Sequence, residues 1–253
     1  MMSLLIYLTE ILLRLFARAL STGKIPQHVA FIMDGNRTFA RKNEKSSQWG
    51  HSKGFDAMNS VLHACYLSGI PCASVFAFSI ENYKRSKKER LDLEMLAKRK
   101  LQEILEKGHL CDKYGVKIKI VGNLTYVSDD LLKVFKLVEE RTRHNNKSIL
   151  NVCWAYTARD DMVHSMRELV EKEQDACDEN GIDIESFTEC LRSGDCPPVD
   201  LVVRTSGVKR LSDFFLWEIT GGSTKIEMVD ILWPQFNASV MLWILFKFAY
   251  GNL

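Results

Sequence analysis

Apolar and polar positions in this chain fall into blocks that switch between two periods. Residues 29–33, 73–78, 149–156 and 201–203 are short, nearly continuous apolar runs, the pattern of strands buried on both faces. The run at 116–121 is broken by lysines, which predicts a strand nearer the sheet edge, and 226–232 predicts a last strand before Trp233-Pro234. Between these runs the apolar residues recur at helical spacing. Phe55, Met58, Val61, Leu62 and Cys65 mark a helix over 54–67, closed by Gly69-Ile70-Pro71. Further helices are predicted at about 87–107, at 128–144 with Ser128 as N-cap, at 160–173 and at 240–249. Residues 174–198 are polar and irregular around a short helix at 184–191, an insertion rather than a boundary. The alternation implies one α/β domain, its mostly parallel sheet flanked by helices and joined by right-handed crossovers, with 29–33 as the central strand.

A separate amphipathic helix is expected over 1–22, ahead of a domain covering 23–253. Leu4, Leu5, Leu8, Ile11, Leu12, Leu15, Phe16 and Ala19 share one face, while Glu10, Arg14 and Arg18 line the other. Three charges make a membrane span unsuitable, and the uncharged start argues against a signal peptide. A helix lying on a membrane surface is the favoured reading, with docking on a protein surface as the alternative.

The 253 residues suffice for one substantial core, and a net charge of +2 gives no support for nucleic-acid binding. Seven cysteines without a C-x-x-C pair indicate structural thiols in a reducing compartment, not a disulfide framework or a zinc site. Asn36, Asn123, Asn146 and Asn237 each begin an N-x-S/T triplet. Asn36 lies in the segment richest in phosphate-binding chemistry, where a glycan would obstruct it, so the domain is expected on the cytosolic side.

Three segments carry that chemistry: 28–37, 77–85 and 204–212. Each starts apolar and ends polar, and the carboxyl ends of parallel strands share the edge where ligands bind. Asp34-Gly35-Asn36 offers a carboxylate for Mg²⁺ and backbone donors for phosphate; capping of the next helix is the plainer role for Asp34. Arg204 and Arg210 flank Thr205, Ser206, Gly207 and Ser212, a set suited to orienting a diphosphate. Asn82 and Arg85 add similar donors. A Walker A loop, G-x-G-x-x-G and G-x-S-x-G are absent. No aspartate-rich D-D-x-x-D motif occurs, and Asp129-Asp130 and Asp160-Asp161 are read as solvated helix starts.

These segments, with Asp230-Ile231-Leu232-Trp233-Pro234 and 151–157, closely resemble the cis-prenyltransferases over about 28–234, and most nearly their eukaryotic dehydrodolichyl diphosphate synthases. The resemblance implies a Rossmann-like fold, Mg²⁺, a dimer, and condensation of isopentenyl diphosphate units onto farnesyl diphosphate with Z double bonds. It implies Asp34 as catalytic residue and metal ligand, with His51, Ser79 and Asn82 also catalytic. Gly35, Asn36, Arg37, Tyr83, Arg85, Arg204, Arg210 and Ser212 would bind substrate. Thr38, Ser47 and Val208 depart from the family pattern, two of them at usually basic positions and the third at a usual glutamate. The sequence stops at Gly251-Asn252-Leu253, before the R-x-G tail of self-sufficient members. A Nogo-B-receptor-like subunit is therefore expected to supply that tail at the cytosolic face of the endoplasmic reticulum, with a homodimer as the other possibility. The competing reading is a non-catalytic scaffold subunit.

Overall fold

Six strands form one parallel sheet in the order β3-β4-β2-β1-β5-β6. They are β1 (His28–Ile32), β2 (Cys72–Ser79), β3 (Val116–Val121), β4 (Ser148–Tyr156), β5 (Leu201–Arg204) and β6 (Lys225–Met228). The computed structural model of the chain describes residues 11, 15–20, 22–107, 109–176 and 183–251. Helices α1 (Asn36–Lys42), α2 (Ser47–Leu67), α3 (Lys87–Lys107), α4 (His109–Tyr114), α5 (Asp129–Thr142), α6 (Ala158–Ala176), α7 (Ile184–Cys190) and α8 (Ala238–Ala249) complete it. Every residue of β1 and β5 is buried, as inner parallel strands covered on both faces require. The larger core lies on one face, where Phe31, Val75, Leu62, Trp233 and Leu245 meet; a second, around Val202, Phe214 and Phe215, backs the other.

The central position of β1 and the edge position of β3 agree with the apolar pattern. Helix α2 differs, starting at Ser47 and not Gly54. Gly50, His51 and Gly54 lack apolar side chains and hide the period, yet both glycines are buried. The strand expected over 226–232 ends at Met228, where the chain turns back and Ser206 N–H donates to Ile231 O at 2.8 Å. Ser128 occupies an N-cap position without capping; its hydroxyl donates to Glu94 Oε2 at 3.0 Å. Asp161 is not solvated: it is fully buried, 3.0 Å from Arg192 Nη1, and burial raises its pKa.

Of the expected first helix, residues 15–20 are helical. Ala17 and Leu20 join the main core, and Phe16 stacks on Phe246 with ring centroids 6.3 Å apart. Leu4, Leu5, Leu8, Glu10, Leu12 and Arg14 lie outside the described residues. Among those described, no helix is long and apolar enough to cross a membrane.

His28 shows how the sheet floor is tied. Its Nδ1 lies 2.7 Å from Pro197 O, a carbonyl that can only accept, so Nδ1 carries the proton and Nε2 accepts from the Ser74 hydroxyl at 2.7 Å. The ring is 1% exposed, and burial lowers its pKa to about 4. An unfolded histidine near 6.5 binds more protons between those values, so stability is present above pH 6.5 and lost as pH falls toward 4. The loss is expected to reach about 3 kcal/mol. Urea unfolding at pH 7 and pH 4.5 should lack this increment in His28→Asn; an equal acid loss in both proteins would contradict the assignment.

Candidate active site

Strand order switches sides at β1, with β2 added on one side and β5 on the other, so a crevice opens at the carboxyl ends of β1 and β5. Asp34 follows β1 there. Gly35, the N-cap of α1, has φ 109°, and a Cβ on it would lie 2.9 Å from Leu232 Cδ2. Glycine alone meets both demands. Thr205 Oγ1 donates to Asp34 O at 2.7 Å and accepts from Asp34 N–H at 3.0 Å, while Trp233 N–H donates to the same carbonyl at 3.0 Å. The backbone is held, and the carboxylate divides its contacts. Oδ1 accepts from Gly35 N–H at 2.8 Å, and Oδ2 faces Arg204 Nη2 at 2.8 Å.

Arg204 ends β5 with its side chain only 2% exposed. Nη1 donates to Arg210 O at 2.5 Å and to Ser212 Oγ at 2.8 Å, which also accepts from Arg210 Nε at 3.2 Å. The following loop runs through left-handed backbone at Ser206, Ser212, Asp213 and Phe215 (φ 75°, 54°, 61° and 49°). Such strain, typical of functional loops, is held by Ala158 N–H donating to Asp213 O at 2.8 Å and by Arg159 Nε donating to Asp213 Oδ2 at 2.8 Å.

At the end of β2, Ser79 Oγ accepts from Glu81 N–H and Asn82 Oδ1 accepts from Ser79 N–H, each at 3.1 Å, a reciprocal cap that fixes both side chains. Arg85 reaches Glu89 on α3 at 3.1 Å, and Arg37 approaches the same carboxylate at 3.6 Å. His51 on α2 presents a buried Nε2 without a partner. Burial, reinforced by Arg85 and Arg37, lowers its pKa to about 4, leaving it neutral near pH 7.

These residues share the wall of one cavity of about 700 Å³. Its polar mouth is formed by Asp34, Arg37, His51, Asn82, Arg85, Arg204, Arg210 and Ser212. Its throat runs inward between α3 and the sheet past Leu96, Leu101, Ile104, Ile118, Phe135, Leu150 and Trp154. Gly35, Asn36 and Ser79 also line it, and so does Thr38. Tyr83 stands behind the wall, edge-on to Phe78 at 5.0 Å. Sequence reasoning missed Glu89, although its i+4 spacing from Arg85 at a helix start was a usable signal. It also missed Thr205 as the latch on Asp34, and the Arg159–Asp213 pair, which no local pattern announces.

Among the described residues, no three His, Cys, Asp or Glu side chains are grouped as a metal cage. One hard oxygen donor stands at the mouth, the Asp34 carboxylate, while Asn36 Oδ1 is buried against Gly54 without a hydrogen-bond partner. A single carboxylate fits Mg²⁺, which retains water and binds through one or two protein oxygens together with phosphate.

A polar, cation-rich mouth opening into an apolar throat defines a protein for amphiphilic anions. Residues 32–252 match the prenyltransferase family described as undecaprenyl diphosphate synthase. A dehydrodolichyl diphosphate synthase complex subunit from Schizosaccharomyces pombe is 42% identical over 91% of this chain and 87% of its own. The human complex subunit is 38% identical over 92% and 69%. Lavandulyl diphosphate synthase from Lavandula x intermedia, crystallised with dimethylallyl diphosphate, superposes with a TM-score of 0.83 at 25% identity, covering 89% of this chain and 95% of that one. The chain belongs to the undecaprenyl diphosphate synthase family, the cis-prenyltransferases.

Proposed function

We propose that this chain is the catalytic subunit of a Z-polyprenyl diphosphate synthase that adds isopentenyl diphosphate units to farnesyl diphosphate for dolichol synthesis. The supporting observation is the continuity of a diphosphate-suited mouth with an apolar throat. In this reading the allylic C–O bond breaks, isopentenyl diphosphate supplies the electrons of the new C–C bond, and a proton is lost from the joined unit. Arg37 and Arg85, steadied by Glu89, hold the leaving diphosphate, and neutral His51 donates a hydrogen bond to it. Arg204, Arg210 and Ser212 orient the second diphosphate, and the Ser79–Asn82 cap positions the reacting carbons. Asp34 would hold Mg²⁺, whose charge would offset that of pyrophosphate. The throat excludes water from the allylic cation.

The curated relatives are named as complex subunits, which supports a second subunit here; the family resemblance makes the receptor-like kind that carries an R-x-G tail the one we propose. Val163, Met166 and Val170 form an exposed apolar stripe on α6 suited to it. Leu15 and Phe16 near the amino end and Trp243 and Tyr250 near the carboxyl end are exposed and support contact with a membrane surface; the cytosolic face of the endoplasmic reticulum is the membrane we propose.

Incorporation of labelled isopentenyl diphosphate into butanol-extractable product, with farnesyl diphosphate and Mg²⁺, tests the proposal. Product is expected when the partner is co-expressed, and the chain should sediment with lipid vesicles. Robust synthesis by the purified chain alone would remove the partner requirement. No product with a partner validated on another synthase would favour the scaffold reading.

Thr38 lines the mouth where the family resemblance expects an arginine. Thr38→Arg is expected to lower the KM for the allylic diphosphate about tenfold, the worth of one charge-assisted hydrogen bond. Unchanged steady-state kinetics would mean that no phosphate contact is missing at this position.

A further inference from the structure

On the face of the sheet away from the throat, the segment 191–200 leading into β5 is laid over a polar patch at the strands' amino ends. His28 donates to Pro197 O, and Lys119 pairs with Asp195. Between these ties sit two thiols. Cys72 opens β2 and is fully buried; Cys196 lies in the overlaid segment and is half-buried. The Asn151 amide joins them: its Nδ2 is 3.2 Å from Cys196 Sγ and 3.8 Å from Cys72 Sγ. Because both sulfurs contact this one nitrogen, the two thiols are neighbours across the sheet face.

We propose that Cys72 and Cys196 are a reversible oxidation site, converted to an intramolecular disulfide by hydrogen peroxide. The geometry separates the roles. Cys196 is accessible, and its polar neighbours Cys72, Asn151 and Lys119 lower its pKa against the effect of burial. It is the thiol that meets the oxidant as thiolate. Cys72 is held in reserve as a protonated thiol, its pKa raised by the neighbouring Cys196 and by burial.

The Cys196 sulfur attacks one peroxide oxygen and the O–O bond breaks. Cys196 becomes a sulfenic acid, and the released hydroxide takes up the proton that Cys196 gave to solvent on ionising, becoming water. The Cys72 sulfur then attacks the Cys196 sulfur, the S–O bond breaks, and the departing hydroxide leaves with the Cys72 proton as a second water. Two thiols and one peroxide thus give one disulfide and two waters. The irregular segment around Cys196 supplies the movement that brings the sulfurs to bonding distance.

The other described cysteines lack this combination. Cys65, Cys111 and Cys153 are buried, and burial raises their pKa values. Cys190 is half-buried with Lys172 Nζ 3.6 Å from its sulfur. The bond would join the start of β2 to the segment feeding Arg204, replacing polar ties with a covalent one. A reducing compartment would keep it open until oxidant rises.

The test treats the folded chain with equimolar hydrogen peroxide, blocks remaining thiols with N-ethylmaleimide, and maps the digest by mass spectrometry. A linked peptide containing Cys72 and Cys196 is expected as the dominant oxidised species, reversed by dithiothreitol and retained in Cys190→Ser. Cys72 should remain open to alkylation after denaturation in peroxide-treated Cys196→Ser. Absence of the linked peptide from folded wild-type protein overturns the proposal, as does equal linkage through Cys190 or Cys65. Because the linked peptide is sought in the wild-type chain, the outcome does not depend on whether any variant folds.

Discussion

Asp34→Ala is expected to lower kcat by about 10³-fold or more, the scale of losing one preorganised electrostatic contact. Two effects act together. The mouth loses the carboxylate that would hold the cation, and Arg204 loses the partner 2.8 Å from its Nη2. Arg204 is 2% exposed and its Nε already lacks a partner, so the freed charge cannot turn to water. Asp34→Asn keeps the shape and removes the charge, and is expected to fall nearly as far. Single-turnover rates at saturating substrate, alongside an unfolding curve, separate chemistry from folding. Retention of more than a tenth of wild-type kcat in Asp34→Ala would remove Asp34 from the catalytic role.

Gly50→Ala is expected to destabilise the fold by about 3 kcal/mol and to impair turnover with it. A Cβ there would lie 2.4 Å from Asn36 O and 2.8 Å from Ala40 Cβ, so α1 must retreat from α2. Asn36 and Arg37 ride on α1 and would leave the mouth. Gly54→Ala makes a useful contrast. Its Cβ would come 2.0 Å from Asn36 Oδ1, the end of a side chain, so the amide turns aside while the backbone stays. A smaller stability loss with a comparable rise in KM is expected there. Equal urea midpoints for Gly50→Ala and wild type would show that the two helices have room to spare.

The central position of β1 was legible because inner parallel strands must be apolar on both faces, a constraint that leaves uninterrupted runs at 29–33 and 201–203. The phosphate-suited segments were legible for a related reason, since their polar residues stand directly after such runs. Helix α2 was only half legible. Its first turns use glycines for close approach to α1, and a packing surface without side chains has no hydrophobic period. Asp161 was misread because its partner, Arg192, is 31 residues away. Tyr83 sits among functional residues in sequence, but the turn after β2 directs it behind Phe78.

The sequence by itself determined the fold class, the family and the three segments that meet at the mouth, because burial pattern and local residue chemistry are properties of short stretches. Only the tertiary structure decided that Thr205 latches Asp34, that Glu89 serves two arginines, that a throat joins the mouth, and that Cys72 and Cys196 share the Asn151 amide. Each of those depends on distances between residues far apart in the chain, set by strand register and helix packing, which local composition does not encode.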